Sequence, residues 1–319
     1  MITKTEEQTV WGWMIAAYLF LAGVGAGAYA TGVAINLYKP EWTTAAKCGI
    51  GLGFPLLAIG TLFLIADLGV KFRALRAFMN PGTSWIARGT IIISMFMILS
   101  FVHFIGWIWP FSFFAAASTG MKVLGIINLV FALLTMVYTG VLLGANRSIA
   151  FWCTAMLPLL FLISACSTGL MATILLYAFI SPSTGQFSHD TLALLGGIDI
   201  MLIVVECLAL TFYIQATHQT FASRQSAKVV LKGRLAAHFW LGVVVIGLFI
   251  PLLTEAIALL AGLGETAGAA IVIALIIAVP GLIGGLFLRY VVLAGGIRSP
   301  LKAAGMEYSI PTVTYKPAK

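Results

Sequence analysis

Polar positions divide the 319-residue chain into eight long apolar stretches. They run over 11–37, 46–68, 85–109, 122–144, 149–180, 191–217, 236–262 and 268–296. A helix of roughly 20 residues, rising 1.5 Å per residue, crosses the hydrocarbon core of a bilayer. Each stretch is long enough. Strands are excluded, because a lone crossing must satisfy its own backbone hydrogen bonds as a helix. Breakers fall between the stretches: Lys39-Pro40, Asn80-Pro81-Gly82, Pro110, Ser181-Pro182-Ser183 and Gly262-Leu263-Gly264. The predicted fold is an all-α integral membrane protein with eight transmembrane helices.

Eight crossings put both termini on one side. That side carries Lys4, Lys71, Arg73, Arg76, Arg88, Arg147, Arg224, Lys228, Lys232, Arg234, Arg298, Lys302, Lys316 and Lys319. The other side carries Lys39, Lys47 and Lys122, and only Arg289 falls well inside a stretch. The positive-inside rule then makes the terminal side cytoplasmic. One helix more or fewer would scramble this division. Composition agrees: 61% of residues are hydrophobic and 9% charged, and mean hydropathy is +1.07. No soluble domain hides that much apolar surface. The net charge of +8 is topogenic charge beside anionic lipid and calls for no nucleic-acid partner.

The first stretch contains Gly23-Val24-Gly25-Ala26-Gly27-Ala28, which fits the glycine pattern of a dinucleotide fold. A phosphate cradle needs a preceding strand and polar surroundings, and this one lies mid-membrane. Gly23 and Gly27 instead form a G-x-x-x-G step for close helix approach. A signal peptide ending at Ala28-Tyr29-Ala30 is a poor fit, since the apolar run is too long and Glu6 and Glu7 spoil a basic leader.

Cys48, Cys153, Cys166 and Cys207 form no C-x-x-C pair and are expected to be small core residues, so no iron–sulfur cluster is expected in this chain. Of His103, His189, His218 and His238, only His103 lies well inside a helix, and His218 and His238 flank the basic loop expected after helix six. Without a matched intramembrane pair, no haem and no metal site is expected.

Charges inside apolar helices cost about 2.5–3.5 kcal/mol each even on lenient scales, and mark candidate sites. Five stand out: Asp67, Asp199, Glu206, Glu255 and Arg289. Asp199 and Glu206 are two turns apart on one face of helix six, and Arg289 on helix eight sits at a depth close to that of Glu206. An ion pair that only fixes packing is one reading. A proton path through Asp199, Glu206 and Arg289 is the other, with Ser164, Ser167, Thr168 and Thr173 on helix five as bridging hydroxyls. Depth counting puts Tyr18, Asp67 and Tyr138 in one layer within about 10 Å of the terminal face. Two phenols and a carboxylate suit a quinone head group, whose carbonyls need donors and whose oxidation needs a proton acceptor. Membership of an interfacial aromatic belt, with Trp11, Trp13, Trp85 and Trp109, is the competing reading for either tyrosine.

Trp11-x-Trp13 followed by Ile-Ala-Ala-Tyr-Leu-Phe-Leu-Ala-Gly and a Gly/Ala-rich helix resembles the opening helix of the NrfD/PsrC family of respiratory membrane subunits. The resemblance covers nearly the whole chain. It implies two four-helix bundles, here 1–145 with a quinone site and 146–300 with a possible proton path, followed by a short polar tail, 301–319. It implies a menaquinone or related quinone, with Tyr18, Asp67 and Tyr138 as quinone-site residues and Asp67 as the catalytic acid. It further implies an iron–sulfur partner and a molybdopterin or multihaem catalytic subunit at a bacterial inner membrane, with no haem or cluster in this chain. In many members the partner and the quinone site face the periplasm, whereas the charge rule places this terminal face in the cytoplasm. Two other functions fit the residues: a passive anchor for a redox partner, and an ion-coupled secondary transporter. A transporter requires broken helices in both halves. Pro280 with Gly281, Gly284 and Gly285 predicts a break in helix eight, without a counterpart in helix four.

Overall fold

The structure is a computed structural model that describes residues 8, 11–67, 82, 84–108, 119–217, 220–298, 301–303 and 306–308. Expectations that rest on Lys4, Glu6, Glu7, Lys71, Arg73, Arg76, Asn80, Pro81, Trp109, Pro110, His218, Lys316 and Lys319, and on the side chain of Lys302, lie outside these residues.

Among the described residues, eight helical spans are long and apolar enough to cross a membrane, as predicted. They are α1 (Trp13–Tyr38), α2 (Thr43–Asp67), α3 (Trp85–Ile108), α4 (Thr119–Gly144), α5 (Met156–Thr184), α6 (His189–Ala216), a π-helical segment (His238–Phe249) that runs into α8 (Ile250–Leu260), and α9 (Ala267–Ala294). A short helix, α7 (Phe221–Leu231), links α6 to the π segment. After α9, β1 (Leu301–Ala303) and β2 (Met306–Tyr308) pair antiparallel.

Hydrogen bonds fix two opposite faces. At the terminal face, Gln8 donates through its amide nitrogen to the Leu293 carbonyl (3.0 Å) and through its backbone to Gly296 (3.1 Å). Trp152, just before α5, donates to the Val292 carbonyl at 2.8 Å and stacks on Trp11 at 5.4 Å. At the far face, Thr43 and Thr44 donate to Gln186 at 2.9 and 2.6 Å, and the Tyr177 hydroxyl donates to its carbonyl at 2.8 Å. The start of α2 is thereby tied to the α5–α6 turn.

Helix α1 is central, packed against α2, α4, α5 and α9. Its glycines explain how. A Cβ at Gly27 would fall inside the Ala165 carbonyl of α5, and one at Gly169 inside the backbone of Gly27 and Ala28. Gly32 and Gly49 make the same backbone approach between α1 and α2. In lipid there is no water to expel, so helices associate through such close van der Waals packing. The G-x-x-x-G expectation at Gly23 and Gly27 is met, with α5 as the partner.

Four expectations are corrected. The stretch expected to begin a helix at 149 instead makes turns up to α5 at Met156. Pro158 explains this, because in a helix starting at 149 it would sit in the interior and break a turn. The basic segment after α6 is not a loop but helix α7, opened by a capping box between Thr220 and Ser223. Helix α9 runs unbroken through Pro280, as membrane helices can when neighbours accommodate the freed backbone. Its glycines serve contact instead: a Cβ at Gly281 would meet Met171, one at Gly284 would meet Gly247, and one at Gly285 would meet Thr168. Finally, Cys153 is exposed in the loop before α5 rather than in a core. The π segment was also unforeseen: the Ile250 N–H bonds to Val245, five residues back.

The glycine contact gives a direct prediction. Gly27→Leu forces α1 from α5 and is expected to cost at least the roughly 1–3 kcal/mol of an overpacked core. Gly51→Ala, where an added Cβ meets nothing within 4 Å, should leave the melting temperature in detergent unchanged. Equal melting temperatures for the two variants would refute the backbone contact.

Candidate functional site

Near the terminal face, α1 delivers Tyr18 about 7.5 Å from its start and α4 delivers Tyr138 about 9 Å from its end, counting 1.5 Å per residue. Both are buried, at 4% and 6% exposure, and their phenols interact electrostatically. The ring of Tyr138 covers Gly89 of α3, where a Cβ would overlap it. Among the described residues, neither hydroxyl has a hydrogen-bond partner. Neither hydroxyl oxygen is fully enclosed, so each is a donor that a ligand can reach.

Asp67 is placed differently from its expected partners. Gly60 of α2 lies level with Tyr18, since a Cβ there would stand 3.4 Å from the Tyr18 carbonyl. Asp67 is seven residues further along, about 10 Å nearer the face. It is exposed and makes no hydrogen bond or ion pair among the described residues. The structure thus brings the phenols together and leaves the carboxylate exposed at the end of α2. A cleft of about 410 Å³ opens on the same face, lined by Trp85, Val141, Gly144, Arg147, Cys153 and Thr154. Trp85 is one turn from Gly89, and Val141 one turn from Tyr138.

The second group gathers around α5. Ser167 donates to Asp199 at 2.7 Å. Asp199 also faces Glu255 of α8. Asp199 Oδ2 and both carboxyl oxygens of Glu255 lack a donor. Glu206 faces Ser164, and Ser164 accepts from the Arg289 guanidinium. Arg289 also donates to the carbonyls of Phe161 (3.3 Å) and Gly285 (3.4 Å) and lies over the Phe161 ring. The expected direct Glu206–Arg289 ion pair is absent among the described residues. Backbone carbonyls occupy the guanidinium, and Ser164 stands between the charges. Of the four hydroxyls proposed as bridges, Ser164 and Ser167 reach charged groups. Thr168 and Thr173 instead bond their own helix, at the carbonyls of Ser164 (2.6 Å) and Gly169 (2.8 Å).

Two features were missed by the sequence reading. Glu255 stood out only as a costly charge, and the structure joins it to Asp199. His103 was weighed only as a haem ligand; it shares a 2.6 Å hydrogen bond with Tyr29, while Asn128 donates to Ser100 at 2.9 Å nearby. Tyr29 and His103 both fall in the far-side half of their helices, so the depth count that found Tyr18 could have paired them. Among the described residues, no three His, Cys, Asp or Glu side chains come together as a metal site.

The polysulphide reductase NrfD family model matches residues 2–300. The chain is 31% identical over 307 residues to a polysulfide reductase chain of Wolinella succinogenes, an alignment that spans 90% of the present sequence and 94% of its relative. It is 27% identical over 276 residues to protein NrfD of Escherichia coli, spanning 78% and 85%. It is 24% identical over 285 residues to a selenate reductase subunit of Mesobacillus selenatarsenatis, spanning 76% and 66%. With the family model spanning almost the whole chain and the eight spans in place, this chain belongs to the polysulphide reductase NrfD family.

Proposed function

We propose that this chain is the quinol-oxidising membrane subunit of a respiratory reductase complex. The observation that carries this reading is the pair of adjacent phenols, Tyr18 and Tyr138, near one membrane face, neither with a hydrogen-bond partner among the described residues. Tyr18 and Tyr138 hold a menaquinone-type head group by donating to its two oxygens. Quinol supplies two electrons and two protons as it becomes quinone. Both protons leave toward the aqueous face, where exposed Asp67 accepts each in turn and hands it to bulk water. The electrons pass to an iron–sulfur subunit docked there, and from it to a molybdopterin or multihaem catalytic subunit. The names of the relatives, which belong to polysulfide and selenate reductases, support a complex of this kind. By the charge rule the docking face is the cytoplasmic face of a bacterial inner membrane.

The chain divides at about residue 145 into a quinone-binding half and a proton-conducting half. Within each half the helices close a ring of contacts, α1–α2–α3–α4 and α5–α6–α8–α9, and the halves join through α5 on α1, α2 and α4 and through α9 on α1. The acids and serines around α5 support proton movement in the second half. The transporter reading, which uses Asp199 and Glu206 as ion or proton sites, loses the helix break expected at Pro280, because α9 is unbroken. The passive anchor gives the two adjacent, unbonded phenols no role.

Tyr18→Phe keeps the ring and removes one donor, worth about 0.5–1.5 kcal/mol net. Quinone binding should weaken by up to roughly tenfold, with assembly intact. Asp67→Asn cannot accept a proton, so quinol-dependent turnover should fall further, by about 10²-fold or more. Dye-driven reduction of the iron–sulfur partner should survive in both. Wild-type quinol oxidation in both variants would favour the anchor.

In the second half, Asp199→Asn and Glu206→Gln should lower the number of protons moved per electron pair in liposomes while the complex assembles. If the acids only brace Arg289, the same changes should instead reduce the amount of folded complex, because a partner charge is left buried.

A further inference from the structure

Between α5, α6, α8 and α9, toward the far face, lies a cavity of about 60 Å³. A water needs roughly 10–15 Å³ of such volume, so several fit. His189 lines it at the start of α6, with a ring nitrogen 3.3 Å from the Leu263 carbonyl in the far-face turn. Glu255 lines it about 7.5 Å from the end of α8. Its side chain is 3% exposed, and neither carboxyl oxygen has a hydrogen-bond partner among the described residues. The remaining lining is apolar or small, including Leu192, Gly196 and Ile273. From α6, Asp199 and His189 are the titratable groups that face Glu255 or its cavity; α5 and α9 line it with apolar residues.

Behind Glu255 the polar groups continue. Its neighbour Asp199 accepts from Ser167. A second cavity of about 10 Å³, room for roughly one water, is lined by Ser167, Thr168 and Glu206. Glu206 is followed by Ser164 and Arg289. The guanidinium ends against α1, 3.5 Å from where a Cβ on Gly23 would stand. Two facing carboxylates are acceptors only, and they satisfy each other when one carries a proton.

We propose that the 60 Å³ cavity is the aqueous entrance of the proton path and that Glu255 is its far-face loading group. Glu255 takes a proton from hydronium in the cavity, releasing water. It passes that proton to Asp199 and returns to its carboxylate. This rests on the proton-path reading above and adds its entrance, its first carrier and the face from which it is reached.

The test uses the whole complex in liposomes. Hydrogen–deuterium exchange is followed at the infrared C=O band of a protonated carboxyl, isolated as the difference between wild type and Glu255→Gln. That band should exchange rapidly in the wild type. Gly196→Leu fills the cavity from a position where an added Cβ meets nothing within 4 Å, and should abolish rapid exchange. Ala193→Val serves if that variant does not assemble. Glu255→Gln should assemble, since it removes an undonated buried acid, and should lose proton movement. Exchange that is equally fast with the cavity filled overturns the proposal. So does full proton stoichiometry in Glu255→Gln when Asp199→Asn has lost it, an outcome that leaves the path itself standing. Full stoichiometry in Asp199→Asn, Glu206→Gln and Glu255→Gln together removes the path, and its entrance with it.

Discussion

Helices α1 and α5 meet backbone to backbone at Gly27 and Gly169, and most of the architecture follows from that contact. Nothing in a bilayer rewards apolar helices for leaving lipid, so association depends on fit. Small residues let two backbones approach closely enough for long runs of van der Waals contact. The same turns of α1 also meet α2 through Gly32. A helix gripped on two sides has a fixed rotation and depth. Tyr18 therefore points to one place, beside Tyr138, and Gly23 points to another, against Arg289.

The second constraint is polar satisfaction. A buried donor or acceptor without a partner costs about 1–3 kcal/mol, more when charged. Many buried groups here obey. Thr135, Thr168 and Thr173 bond their own helices, Asn128 finds Ser100, and Arg289 takes one hydroxyl and two carbonyls. Others do not: single atoms of His103, Asn128, Ser181 and Arg289 lack a partner among the described residues, and so do Asp199 Oδ2 and both carboxyl oxygens of Glu255. The Glu255–Asp199 pair, toward the far face, holds three of these atoms side by side. Near the other face the Tyr18 and Tyr138 hydroxyls are unbonded without being fully enclosed. In the proposed reading a quinone engages the phenols and a mobile proton the facing acids.

The fold was largely legible in the sequence because hydrocarbon imposes a length and an apolar composition that few other structures meet. What the sequence concealed came from local competition. Pro158 delayed α5, and Thr220 with Ser223 started a helix in a segment too short and basic to register as one. Pro280 signalled a break that neighbouring helices suppressed. For the site, counting residues gives depth but not direction. It put Tyr18 and Tyr138 in one layer and found them together. It put Asp67 in the same layer, yet two further turns of α2 carry that side chain to the exposed end. It put Glu206 level with Arg289, but only coordinates could place Ser164 between them. Glu255 was the hardest case, because its partner lies on a helix far away in sequence and nothing local marks the pair.

The phenol pair and the acid pair lie toward opposite faces, yet α1 adjoins both networks of contact. Tyr18 and Gly23 are five residues apart on that helix, and Arg289 rests against Gly23. A shift of α1 on quinone binding would therefore press on the guanidinium. The guanidinium in turn shares Ser164 with Glu206. In the proposed reading, this is where electron chemistry and proton movement exchange free energy. Coupling of this kind is reciprocal: whatever quinone binding does to the charge state of Glu206, that charge state must do to quinone binding by the same factor. Arg289 is suited to the position, because a guanidinium stays charged where a lysine would not. Its donors already bind α5 and α9, so it cannot follow a displacement of α1 without loosening a bond to Phe161, Gly285 or Ser164. In that reading, a cation anchored on α5 and α9 through its two terminal nitrogens turns a small movement of α1 into an electrostatic change at Glu206.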